Sequence, residues 1–230
     1  MMMDIFSSFD DHNSTIMSMH ILTWVITIWS LFFINSSLWI FPSNLISSLM
    51  IPKQIINIQT TRSFSMNMGG FPLMISSLFI TIINFNLLGL LPYVFSSTSH
   101  LGMTLCLSLP LWFSLIMSSY QNNYYSSMAS LLPLGTPPFL IIFLPIIESL
   151  SICVRPITLS IRIAANISAG HIILTLIGNY LTFSILSMNF ITAIFIMFIQ
   201  MAYFLFEIGI SIIQGYIFSL LITLYTDDHQ

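Results

Sequence analysis

The chain has 230 residues, 57% of them hydrophobic and 5% charged, with a mean hydropathy of +0.97. A soluble domain carries about a quarter charged residues, so this composition describes an integral membrane protein and excludes an autonomous nucleotide-binding or hydrolytic module. Long apolar stretches favour helices over a barrel: no charge occurs in the 85 residues from 63 to 147, nor in the 44 from 163 to 206.

At the N-terminus, Asp4, Asp10 and Asp11 are the only charges among the first 15 residues. That sign is wrong for a secretory n-region or an Arg-rich transit peptide, so insertion at the place of synthesis is expected. A first span is predicted over 16–41, with Trp24, Trp29 and Trp39 as interfacial anchors. Across 43–69, leucines and isoleucines interleave with Ser, Gln, Asn, Lys53 and Arg62, which predicts an amphipathic segment lying on the membrane. It holds half of the four basic residues, so the positive-inside rule sets it on the cytoplasmic or matrix face, opposite the acidic N-terminus.

Two further spans are predicted at about 71–92 and 101–119, forming a helical hairpin over 71–119, with the turn-rich Pro92–His100 between them. Residues 121–137 read as a polar loop ending in helix breakers. Cys106 and Cys153 stand alone in apolar runs and imply no disulfide framework. From Phe139 to Tyr180, and again from Asn189 to Tyr225, the chain is apolar without a strong turn signal. At 1.5 Å per residue such a stretch is about 60 Å long, twice the ~30 Å hydrocarbon core. Either each crosses twice, or each is one long helix tilted well beyond the usual ~20°. Charges sit mid-stretch, where an upright pair would bury them in lipid, and this favours the tilted form. The expected fold is an all-α polytopic membrane protein, a single domain over 1–230. It has five membrane-crossing helices and one interfacial helix, the last two long and steeply tilted as a hairpin over 139–226.

Glu148, Arg155 and Arg162 are spaced seven and seven. Seven residues is close to two helical turns, so the three project from nearly one face over about 21 Å. Arg162 is the costly one, because a guanidinium cannot shed its charge and an intramembrane charge marks a functional site. Small residues surround it in sequence (Ser160, Ala164, Ala165, Ser168, Ala169), and no acid lies within a turn. Its counter-charge must therefore come from elsewhere in the fold or from another subunit. Arg155 precedes Pro156, a kink-forming residue, and reads as structural; Glu148 is a candidate partner for it. Glu207 and Gln214, again seven apart with Gly209 and Gly215 beside them, repeat the device on the last helix. His171 alone is ambiguous between a core histidine and a functional one.

The stretch Glu148 … Arg162-Ile-Ala-Ala-Asn166 … Ala169-Gly170-His171, followed by Glu207 and Gln214-Gly-Tyr-Ile-Phe, resembles subunit a of the mitochondrial F-type ATP synthases. Asn86-Leu-Leu-Gly-Leu-Leu-Pro92, Leu109-Pro-Leu-Trp112 and Leu132-Pro-Leu-Gly-Thr-Pro137 add to the resemblance, which covers about residues 69 to 226. Gly215 stands where alanine is frequent in that family, and the position of Arg155 also accepts glutamine there.

The resemblance implies a stator subunit of the Fo proton channel, not catalytic on its own, in which two offset half-channels let proton flow drive rotation and ATP synthesis. Arg162 would be the essential arginine facing the rotor ring of c subunits. Glu207, with His171 nearby, would line the half-channel open to the intermembrane space, and Glu148 the one leading to the matrix. Asn166 and Gln214 would be polar neighbours of the arginine. Other implied partners are the peripheral stalk, further Fo membrane subunits and the lipid bilayer. No nucleic acid, directly bound nucleotide, cofactor or metal is implied; the transported ion is H+. The location would be the mitochondrial inner membrane, multi-pass, with the N-terminus toward the intermembrane space and the C-terminus toward the matrix.

The competing reading is a membrane subunit of a redox or antiporter-like proton-pumping complex. Haem ligation would want paired membrane histidines, and His20, His100 and His171 are far apart in sequence; antiporter-type chemistry relies on lysine, and Lys53 is the only one. A purely structural subunit would leave Arg162 and Glu207 free to be neutralised.

Overall fold

The computed structural model describes residues 44–63, 68–91, 94–122, 124–129, 131–132 and 143–228, together with Phe9, Val25, Met66 and Ile141. Apart from Val25, the span predicted over 16–41 lies outside the described residues, as does the loop end at 133–137. Within them the chain is helical and contains no strand: α1 Asn44–Arg62, α2 Phe71–Gly89, a 3-10 turn Ser97–Ser99, α3 Leu101–Asn122, α4 Tyr124–Ala129, α5 Phe143–Leu186 and α6 Phe190–Asp228. Among the described residues four helices, α2, α3, α5 and α6, are long and apolar enough to cross a membrane.

Several boundaries differ from those expected. α1 stops at Arg62 and not at 69, and Gly70, at the positive φ of 83°, caps the start of α2, which has a proline in its first turn. α3 runs on through Gln121 to Asn122, and the expected polar loop contains the short helix α4. Its sequence Tyr-Tyr-Ser-Ser-Met-Ala has no breaker, and Tyr124 packs on Tyr120 with ring centroids 6.0 Å apart. Each long apolar stretch is one helix: α5 has 44 residues and α6 has 39, or about 66 and 58 Å.

The core lies where five helices meet. Ile56 of α1, Ile75, Phe79 and Ile82 of α2, Leu111 and Leu115 of α3, Leu159 and Ile163 of α5, and Phe218 and Ile222 of α6 form one buried cluster. Prolines 52, 110 and 156 are all inside helices, as transmembrane helices allow when a neighbour supplies hydrogen bonds. Distinct from the carbonyl that Pro156 frees, that of Ile152 four residues back, the Pro156 carbonyl of α5 accepts the hydroxyl of Ser108 of α3 at 3.2 Å and ties the two helices. On α6 the hydroxyls of Ser211, Ser219, Thr223 and Thr226 each donate to the carbonyl three residues back. Polar side chains can therefore line a buried face in an apolar setting without unpaired donors.

α5 and α6 are joined by Ser187-Met188-Asn189, with Met188 in the left-handed region at φ 60°. They run back along each other, pairing Asn166 with Gln214 and Gly170 with Glu207. The pair is packed unevenly. From 171 to 206 only Ser184 is buried, whereas Pro156 to Gly170 and Glu207 to Thr226 carry dense buried stripes. Both long helices thus extend an arm beyond the bundle.

Candidate functional site

Helical geometry sorts the polar residues of α5. Thr158, Arg162, Asn166 and Gly170 are four apart, and each such step rotates about 40° around the helix. The run therefore spirals: Thr158 and Arg162 are exposed, Asn166 is half-buried and Gly170 is buried. The small residues expected around the arginine divide the same way, with Ser160 and Ala164 facing the core and Ala165 and Ala169 outward. Arg162 makes no hydrogen bond or ion pair with any described residue.

One turn further, the Asn166 amide donates to Gln214 Oε1 at 2.9 Å, joining α5 to α6. Another turn on, Glu207 lies against Gly170 and is only 3% exposed. A Cβ at residue 170 would stand 2.6 Å from Glu207 Cδ, so a larger residue there must displace the carboxylate. Gly215 is a second such point: a Cβ there would meet Ile83 Cγ1 of α2 at 2.8 Å. Tyr203, one turn before Glu207, sets its hydroxyl on the carboxylate.

His171 follows Gly170 and is half-buried, its ring beside the Gly89 carbonyl at the end of α2 and edge-on to Phe9 at 6.0 Å. Its Nε2 is buried without a hydrogen-bond partner among the described residues. Asn86, one turn before Gly89, is fully buried, and among the described residues neither its amide atoms nor Thr98 Oγ1 finds a hydrogen-bond partner. The resemblance covers Asn86, but its spacing alone gave no reason to single it out, and Tyr203 was missed although it stands four residues from Glu207.

The other acid, Glu148, is separate. Glu148 Oε1 lies 3.9 Å from Arg155 Nη2, with 43% and 26% of the side chains exposed. The Arg155 guanidinium also covers the Tyr225 ring of α6 at 5.0 Å. The candidate residues therefore fall in three groups along α5: Glu148 with Arg155, then the solitary Arg162, then Asn166, Gly170 and His171 with Gln214 and Glu207. Fourteen residues separate Glu148 from Arg162, about 21 Å along the axis, and eight separate Arg162 from Gly170, about 12 Å.

A family model described as ATP synthase A chain matches residues 16–227. The chain belongs to the ATP synthase A chain family. Three animal relatives, each called ATP synthase subunit a, are similar over nearly their full length. The protein of Anopheles gambiae is 39% identical over 237 residues, covering 99% of both chains. That of Artemia franciscana is 37% identical over 232 residues, covering 99% of this chain and 100% of the other. That of Drosophila melanogaster is 36% identical over 233 residues, with 99% coverage on each side. The A chain resemblance thus extends well beyond residues 69 to 226, into the N-terminal third where motifs alone were thin.

Proposed function

We propose that this chain is the stationary Fo subunit that guides protons past a rotating ring of c subunits in the mitochondrial inner membrane. The observation that carries the proposal is Arg162: exposed on an apolar helix, unable to neutralise itself, and without an acidic partner among the described residues. A carboxylate arriving from the ring would supply the missing charge. At about 4 Å and an effective dielectric near 20 the attraction is on the order of 4 kcal/mol. The cation favours the ionised form of each passing rotor acid and, being permanently protonated, blocks direct proton transfer between the two half-channels.

Glu207 serves as the proton-exchanging group on the intermembrane-space side, together with His171, and Glu148 serves on the matrix side. Glu148 and the Gly170 contact with Glu207 lie on opposite sides of Arg162 along α5, which supports two offset entry paths. The unpaired buried atoms of Asn86, Thr98 and His171 support a polar, hydratable approach to Glu207. Asn166 and Gln214 hold the helices in register beside the arginine; Arg155 and Pro156 serve structure. The membrane potential supplies about 2.3 kcal/mol per proton per 100 mV, which turns the ring while nucleotide chemistry occurs on other subunits.

In this reading the chain is one membrane domain of five crossings, counting 16–41. α1 lies at the interface, and α5 and α6 form a steeply tilted hairpin along the ring. The N-terminus faces the intermembrane space and the C-terminus the matrix, with the peripheral stalk and other Fo subunits as neighbours. The test is Arg162→Ala in the assembled complex in vesicles. We expect assembly to survive and ATP-driven proton pumping to vanish; normal pumping by this variant would overturn the assignment.

A further inference from the structure

Helix α1 presents three faces, and packing accounts for one. Ile56 and Thr60 are buried at 1% each, with Pro52 on the same side. Gln54, Asn57 and Thr61 form an exposed polar flank. Ile51, Ile55 and Ile58 form another, 60%, 50% and 55% exposed. At about 100° per residue those three isoleucines and Arg62 fall within roughly 60° of the helix circumference, with Arg62 near the middle. The two exposed flanks lie on opposite sides of the buried face. A helix that touches the bundle along its side, with an apolar flank one way and a polar flank the other, has the surface of a helix lying in the plane of a bilayer interface.

The charge on that apolar flank has no counterpart among the described residues. Arg62 is exposed and makes no hydrogen bond or ion pair with any described residue. The sequence contains no aspartate or glutamate from 12 to 147. The guanidinium cannot deprotonate. Its place in the last turn of α1 brings it near the partial negative charge of the helix end, which leaves most of its five N–H donors unused. Lys53 falls on the far side of the helix and does not contribute.

We infer that Arg62 and the Ile51, Ile55 and Ile58 flank form a binding site for an anionic phospholipid. The guanidinium grips the headgroup phosphate, a geometry suited to two parallel N–H···O bonds, and the isoleucines lie against the acyl chains. A zwitterionic lipid offers the same phosphate with a compensating ammonium, so the site selects for net negative charge. The site rests on the interfacial placement of α1 and not on the roles given to Arg162 or Glu207.

The test uses the assembled complex in phosphatidylcholine vesicles doped with a photoactivatable phosphatidylglycerol or, separately, a photoactivatable phosphatidylcholine, with adducts mapped to the peptide spanning 51–62. We expect the anionic probe to label that peptide more strongly. Arg62→Gln should reduce anionic labelling about fivefold, the factor set by the ~1 kcal/mol that one basic residue contributes at an anionic surface. Zwitterionic labelling should stay unchanged, and Arg62→Lys should keep most of the preference. Equal labelling by both probes in the wild type, or an unchanged anionic signal in Arg62→Gln, overturns the site. Labelling by neither probe overturns the interfacial placement itself. Should the variant fail to assemble, competition on the wild-type complex decides: unlabelled phosphatidylglycerol must suppress the anionic adduct where phosphatidylcholine does not, and equal suppression refutes selectivity.

Discussion

Gly170 and Glu207 meet with no space for a methyl group between them: a Cβ on residue 170 would lie 2.8 Å from Glu207 Oε1. Gly170→Ala must therefore move the carboxylate or separate the two helices. Forcing one methyl into a packed interface costs about 1–3 kcal/mol. We expect a complex that assembles with lowered thermal stability and pumps protons roughly tenfold more slowly, since 1.4 kcal/mol on a barrier is a factor of ten. Adding Glu207→Asp, which shortens the acid by one methylene, should recover part of the rate. Wild-type pumping by Gly170→Ala alone would show that Glu207 can sit elsewhere without penalty.

Glu207→Gln keeps the shape of the side chain and removes its titratable proton. Proton uptake should slow without disappearing, because water and neighbouring polar groups still connect the site. The effect should persist across neutral pH, as an amide does not ionise there. A pH-rate profile matching wild type would exclude Glu207 from the path.

The Asn166 amide and the Gln214 carbonyl form a 2.9 Å bond between α5 and α6. Interhelical bonds of this type in membranes average about 0.6 kcal/mol, with a maximum near 1.7. A double-mutant cycle with Asn166→Ala and Gln214→Ala, read by thermal unfolding of the complex in detergent, should return a coupling in that range. Strict additivity would mean that each residue acts through a different neighbour.

Arg155 differs from Arg162 in kind. Its ion pair with Glu148 is long at 3.9 Å and partly exposed, and such pairs contribute about 0–1 kcal/mol; stacking on Tyr225 adds about 0.5–1. Arg155→Gln should therefore retain most proton transport and lose at most a modest amount of stability, measured beside Arg162→Gln, which should abolish transport. Equal losses from both would undo the division of roles.

Much of this was legible in the residues. Uncharged runs bracketed by Arg62, Glu148, Arg162 and Glu207 gave the membrane class and the two overlong helices, because charge avoidance and the 1.5 Å rise act locally along the chain. The contact of Asn166 with Gln214 spans 48 positions, and that of Arg155 with Tyr225 spans 70. Neither follows from periodicity, since they depend on the register of α5 on α6, where Gly170 meets Glu207. The helix α4 was hidden by its polar composition, which marks a solvated stretch without fixing its backbone. The burial of Asn86 was hidden for the opposite reason: one amide in an apolar run gives no sign of which neighbour covers it.

The spiral of Thr158, Arg162, Asn166 and Gly170 has a consequence for how this gene segment can vary. A substitution there changes one group, but a one-residue insertion or deletion rotates everything beyond it by about 100°. Such a change between 162 and 170 would turn the arginine away from its face or carry the glycine out from under Glu207. Over those eight positions the count of residues is a stricter constraint than the identity of most of them.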